Sequence, residues 1–204
     1  MSVTSNMAAT LPALVLAAGQ GRRFRAAGGV GPKVLASVGG RPLLAHAIDA
    51  AEAAGLEPIV IVVGPELAET PTSDAFLDGR PAITSVINPR ASDGMGTSLA
   101  AGLEHLAADP TVTACVVLLG DQPGISPTVI TDAVATWRRT GAPVRARYLD
   151  GPGHPVVLPS ALWPMLMDRT AEGARDVLDG LDIEEIETGT HAPRDIDVPD
   201  DLTS

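Results

Sequence analysis

A single cysteine, Cys115, stands in 204 residues. That excludes an internal disulfide, and its apolar setting in TACVVLL marks a buried strand residue instead of a nucleophile. Aromatics are nearly as scarce, at 2 % of the chain against 45 % for all hydrophobic residues. The core therefore has to be built from Ala, Val, Leu and Ile, a composition suited to helices packed on a buried sheet. Positive charge is in short supply too: Lys and Arg number 14 against 25 for Asp and Glu, a formal net charge of −11. Such a field repels polyanions, so no nucleic-acid partner is expected and an anionic ligand needs a local basic site. The N-terminal MSVTSNMAATLPALVLAAG lacks a basic leading region and its apolar run is short, so neither a signal peptide nor a membrane span is expected. The cytosol is the expected compartment.

What is present is a series of short apolar runs bounded by turn residues: PALVLA, PIVIVV at 58–63, AITSVI at 82–87 and ACVVLLG at 114–120. They lack clean alternation, as expected of strands covered on both faces. Between them lie helical stripes, one of Leu43, Leu44, Ala47, Ile48 and Ala51 closed by Gly55, another of Leu99, Gly102, Leu103 and Leu106 closed by Asp109-Pro110. This order predicts an α/β protein, a single-domain Rossmann-like three-layer sandwich with a mainly parallel central sheet. The domain is expected over 13–204, after a flexible segment at 1–12. Past Tyr148 the texture changes to DGPGHPVVLPSALW, a turn followed by a short strand and a helix start.

Ligands of such sheets sit at the carboxyl ends of the strands, where the polar motifs fall. Gly19-Gln20-Gly21 directly follows the strand ending Leu16, Ala17 and Ala18, and its backbone N–H groups suit a phosphate. The densest basic cluster of this acidic chain, Arg22, Arg23, Arg25 and Lys33, shares that loop. It is neither a Walker loop, having no GKS or GKT, nor a dinucleotide fingerprint, having no GxGxxG. In VVLLGDQPGIS, Asp121 follows a buried strand, a position from which magnesium can bridge to phosphate oxygens. A second carboxylate is expected from RDIDVPDDL, where Asp195 and Asp197 alternate on an extended segment, so that one of the two faces the site; Asp200 and Asp201 read as caps of a last helix. Asn88, then Gly96, Thr97 and Ser98, open another helix, able to hold nucleotide or simply to cap. His154 in GPGHPV and Arg175 in EGARDVL are the remaining polar candidates for substrate binding.

Taken in order, these segments resemble the MobA-like nucleotidyltransferases, and within them the molybdenum cofactor cytidylyltransferases. The opening motif of that family, LAAGxSxRxG followed shortly by Lys, is matched by LAAGQGRRF and Lys33. NPRASDGMGTSLAAGL, LLGDQP, GHPVVLP, EGAR and DIDVPDDL follow in family order, extending the resemblance over 14–202. Two departures stand out: FRAAGGVGP between Arg23 and Lys33 is longer than the family's compact loop, and Gly21 replaces a small polar residue. The resemblance implies transfer of a cytidylyl group from CTP to the terminal phosphate of a molybdenum-bearing pterin, with release of pyrophosphate. Ala18, in LAAG where the guanylyl branch has LAGG, is what points to CTP. By the same resemblance Arg23, Lys33 and Asp121 are catalytic, and Leu16 to Gly19, Gly21, Arg22, Arg23, Lys33, Asn88, Gly96, Ser98 and Asp121 hold the nucleotide. Mg2+ would lie on Asp121 and Asp197, His154 and Arg175 would meet the pterin, and a molybdenum hydroxylase would receive the product. The alternatives are another donor or acceptor, GTP or a sugar or polyol phosphate, and a non-catalytic cofactor carrier or chaperone.

Overall fold

The computed structural model describes residues 10–70, 82–168, 170 and 180–203. The apolar runs become the central strands of a seven-stranded sheet: β1 (Ala13–Ala17), β4 (Ile59–Val63), β5 (Ile83–Ile87) and β6 (Ala114–Leu119). With β7 (Val144–Tyr148), β8 (Gly151–Pro159) and β9 (Glu184–Glu187), the order is β5-β4-β1-β6-β8-β7-β9. Neighbours pair in parallel except around β8, which runs antiparallel to both β6 and β7. A small ribbon, β2 (Ser37–Val38) and β3 (Arg41–Pro42), stands apart.

Alternate residues of β1 divide the core between two faces. Ala13, Val15 and Ala17 pack with α2 (Leu43–Ala53) and with the helix at Pro127–Thr140, through Leu44, Ala47, Ile48, Ile130 and Ala133. Leu14 and Leu16 face the helices Met95–Ala107 and Trp163–Asp168, through Leu99, Leu103, Leu106, Trp163 and Leu166. With α1 (Arg22–Ala26) and α3 (Pro65–Ala68) placed in chain order, these three helices are α4 (Met95–Ala107), α5 (Pro127–Thr140) and α6 (Trp163–Asp168). The result is the expected three-layer α/β sandwich. Cys115 is fully buried on β6, and burial pushes its thiol far above the usual range, in keeping with a packing role. No described helix is long and apolar enough to cross a membrane.

Three details depart from expectation. AITSVI was expected to be covered on both faces, yet it is the outer strand β5, with Thr84 and Ser85 exposed; a β-branched run serves an edge as well as a centre. GPGHPVVLP is a single nine-residue strand with a register shift at Arg145/Ala146 of its partner β7, which accommodates its prolines and glycines. Of the segment expected to be flexible, residues 1–9 lie outside the described residues. Leu11 and Pro12 are buried, and their carbonyls accept the Glu57 and Val116 amides at 3.0 and 2.9 Å.

The long loop after β1 is folded upon itself. Arg22–Ala26 forms one helical turn that buries Phe24 at 3 % exposure. Gly29 closes over this ring so tightly that a Cβ there would come within 2.2 Å of it, so only glycine fits. The inserted FRAAGGVGP thus has its own anchor.

Candidate active site

The site lies along the carboxyl ends of β1, β4 and β6, the edge expected for a sheet of this kind. Gly21 ends the loop after β1 in the left-handed region, φ 57°, and a side chain there would press on Lys33 Cβ at 3.1 Å. Glycine at this point lets Lys33, far along the insertion, return to the start of the loop. Lys33 is buried at 8 % exposure on a short 3-10 turn, Lys33–Leu35.

Its ammonium joins both acidic segments. Lys33 Nζ is 2.5 Å from Asp121 Oδ2 and 3.5 Å from Asp197 Oδ1. Arg23 Nη1 donates to Asp197 Oδ2 at 2.7 Å. Arg23, Lys33, Asp121 and Asp197, separated by up to 174 positions, are thus brought together. The acidic segments are tethered through the main chain: Ile196 N donates to Asp121 O at 3.3 Å and Gln122 Nε2 to Pro193 O at 3.0 Å. Asp201, expected only to cap a last helix, is 8 % exposed and accepts the Asp197 and Val198 amides at 2.9 and 3.0 Å while pairing with Arg194. These backbone bonds and Arg194 hold its carboxyl below the usual range. It therefore fixes the turn that displays Asp197.

Of the alternating pair, Asp197 makes the contacts with Lys33 and Arg23, and Asp195 stands beside them. Partial burial of its carboxyl, then repulsion from Asp121 and Asp197, raise the Asp195 pKa, with Lys33 and Gln122 opposing. Three carboxylates against two cations leave a net negative pocket. Among the described residues no three metal-ligating side chains gather as a complete metal cage. Two carboxylates beside a glycine loop are a donor set that suits magnesium where phosphates and water fill its other positions. The residues present fit that ion.

On the other side of β1 a cleft of about 310 Å³ opens between Ala17–Gln20, the start of α3 and the turn after β5, with Arg25, Gly64, Glu66 and Pro89 among its walls. Leu16 is buried at the end of β1, whereas Gly19 is exposed on the cleft. Arg22 turns to Gln20, donating to Oε1 at 2.6 Å. The side chains of Asn88 and Ser98 do not face the cleft. Asn88 is 3 % exposed; its Nδ2 donates to Thr97 and Ser98 hydroxyls at 3.0 Å each, and its Oδ1 accepts the Arg90 amide at 2.9 Å. This bracing turns the Asn88 side chain inward, while Pro89, Ala91 and Ser92 of the same turn line the cleft. His154 lies on β8 within the field of Asp121. Burial pushes its imidazole down to about 4 against that attraction, so it is neutral at pH 7; its carbonyl accepts the Tyr148 hydroxyl at 2.6 Å. Arg175 lies outside the described residues.

Three residues at the site carry no sequence signal of their own: Arg25 reads only as charge, and Glu66 and Gln122 reach the site through partners 41 and 71 residues away. Asp201, read as a cap, has its partners within three to seven residues.

A mainly parallel sheet clothed by helices on both sides, with a folded glycine loop facing paired carboxylates, defines the single-domain α/β nucleotidyltransferase fold. The chain belongs to the family of the MobA-like NTP transferase domain, whose model matches residues 13–186. It is 35 % identical over 158 residues to nicotine blue oxidoreductase of Paenarthrobacter nicotinovorans, covering 74 % of this chain and 72 % of that one. It is 36 % identical over 137 residues to the bifunctional protein GlmU of Sorangium cellulosum (strain So ce56). That match takes in 66 % of this chain but only 28 % of GlmU. Among solved structures, Rv0371c from Mycobacterium tuberculosis H37Rv superposes with a TM-score of 0.77 at 25 % identity, covering 96 % of this chain and 100 % of that one. A further crystal structure of Rv0371c is a complex with manganese, with a TM-score of 0.74 at 24 % identity, covering 96 % and 97 %.

Proposed function

We propose that residues 13–204 form a transferase domain that moves CMP from CTP to the terminal phosphate of a molybdenum-bearing pterin, releasing pyrophosphate. The observation that carries this reading is the meeting of Lys33 with both Asp121 and Asp197 beside the glycine loop. A carrier has no use for a triphosphate clamp joined to a metal-type carboxylate pair. The base occupies the 310 Å³ cleft beside Ala18, the phosphates cross Gly19 to Gly21, and the α-phosphate reaches the carboxylates. A divalent cation, Mg2+ or Mn2+, held there by Asp121 and Asp197 would neutralise phosphate charge.

The residues do the rest by placement. A phosphate monoester has a second pKa of about 6 and is mostly dianionic at pH 7, so it attacks the α-phosphorus without a general base. Lys33 and Arg23 leave their carboxylate partners for the triphosphate oxygens as it enters, neutralising the charge that collects on the departing pyrophosphate. His154, uncharged at pH 7, offers the acceptor a hydrogen-bonding group with no charge of its own. CTP is favoured over GTP by Ala18, and the recipient of the product is a molybdenum hydroxylase.

The test is a panel of CTP, GTP, ATP and UTP with the pterin phosphate and with sugar phosphates, with and without Mg2+ or Mn2+, read as pyrophosphate release. Release only with CTP, pterin and metal is expected. Equal turnover of CTP and GTP overturns the base assignment, and no release with any pair overturns transfer. The relative named nicotine blue oxidoreductase favours a second reading, a redox substrate in the same cleft. The panel separates the two, because oxidation or reduction releases no pyrophosphate.

A further inference from the structure

We infer that Arg25 is a positioning residue for the nucleotide, clamping the glycine loop to α3 across the mouth of the cleft; this rests on the nucleotide reading above. Its guanidinium fork engages three acceptors on two separate segments. Nη1 donates to Glu66 Oε1 and Oε2 at 2.8 and 2.6 Å, and Nη2 donates to the Gln20 carbonyl. Gln20, Arg25 and Glu66 all line the same cleft.

The two walls need such a tie. They touch at their base, where a Cβ on Gly64 would sit 3.4 Å from the Ala18 carbonyl, but above that point they are separate pieces of chain. One wall is a loop; the other is α3, a single turn of four residues without a side-chain cap. A short uncapped turn has little rigidity of its own. Arg25 in turn is fixed by its neighbour Phe24, which Gly29 covers. The insertion therefore carries both the clamp and its mounting.

An exposed ion pair alone is worth little, and Arg25 and Glu66 side chains are 39 % and 53 % exposed. What gives this one consequence is the planar fork, which a lysine ammonium does not reproduce. Holding the walls apart by a fixed gap before the ligand arrives lowers the ordering cost of binding. The clamp touches neither the reacting phosphorus nor the carboxylates, so it governs affinity and leaves the chemical step alone.

Charge attraction and clamping predict opposite signs at Glu66. If Arg25 merely drew in phosphate, Glu66→Gln would remove a repelling charge and tighten nucleotide binding, and Arg25→Lys would resemble the wild type. If Arg25 clamps, Glu66→Gln loosens binding and Arg25→Lys fails to rescue. The experiment is titration calorimetry of CTP with Mg2+, together with KM and kcat from pyrophosphate release, on wild type, Arg25→Ala, Arg25→Lys and Glu66→Gln. The clamp predicts Kd and KM raised roughly tenfold in Arg25→Ala and a few-fold in the other two, with kcat within about twofold and melting temperature unchanged. Wild-type affinity in Arg25→Ala, or tighter binding by Glu66→Gln, overturns the clamp. A wild-type chain that binds none of the four nucleotides overturns the transferase reading itself, a result distinct from equal binding by wild type and variants.

Discussion

The two sides of the site are built differently. On the carboxylate side, Asp121 follows a central strand, and the Asp197 turn is fastened to it by the Ile196 amide and Gln122 and braced from within by Asp201. On the loop side, Arg22 and Arg23 are exposed and held by side chains, while Arg25 ties the loop to α3. Lys33 belongs to the loop by sequence but is buried with the carboxylates. One side is fastened through the main chain; on the reading proposed above, Arg23 and Lys33 exchange partners when a triphosphate enters. Such a division would suit a reaction catalysed by placement, in which fixed carboxylates define where the phosphorus goes and the cations follow the charge.

The most severe way to break the contrast is Asp121→Ala on the fixed side. Metal-dependent pyrophosphate release is expected to fall by at least about 100-fold, with circular dichroism unchanged; activity near wild type would remove Asp121 from the metal. Next comes Lys33→Met, which frees the carboxylates of their internal cation. Nucleotide affinity is expected to drop roughly 30-fold. Mn2+ binding without nucleotide, followed by electron paramagnetic resonance, is expected to strengthen, and unchanged Mn2+ affinity would show that the lysine does not compete there. Asp201→Ala loosens the turn carrying Asp197 at a distance from the reacting atoms. It is expected to lower kcat about tenfold and to lower stability as well, read by urea unfolding. A loss of stability without loss of kcat would mean that Asp197 needs no brace.

The smallest effect concerns pH. Burial lowers the folded pKa of His154 to about 4 from the ordinary 6.5 of an imidazole. Between those values the unfolded chain binds a proton that the folded one refuses, so this group's contribution is present above pH 6.5 and is lost as pH falls towards 4. His154→Gln is expected to lessen the drop in unfolding free energy between pH 7 and pH 4.5 by roughly 1–2 kcal/mol. Parallel curves for variant and wild type would deny the imidazole its buried setting.

How much of this could be read from the amino acids depends on whether the deciding forces act locally. β1, β4 and β6 announce themselves because strands buried on both faces are uninterrupted apolar runs. Asp121 follows from the rule that ligands gather at strand ends. β8 was harder, since Pro152, Pro155 and Pro159 read as turn residues until pairing with β6 and β7 makes them strand. β9, with the sequence EEIE, is a strand through its pairing with β7, where Arg145 meets Glu185 at 2.7 Å. Asn88 looked like a ligand group because its type suits both tasks, and only the positions of Thr97 and Ser98 decide between them. Arg25 and Glu66 are 41 residues apart, and no local pattern joins them.

The reversal of β8 also bears on the rim of the site. Because it runs against β6, the hairpin tip between β7 and β8 lies at the same edge as Asp121, with Leu149 67 % exposed and Asp150 accepting the Ala192 amide. Most of the neighbouring strands reach that edge with their ends, whereas this one departs from it. A change in the length of this tip would alter the rim beside Asp121 while leaving the register of β6 with β8 as it is.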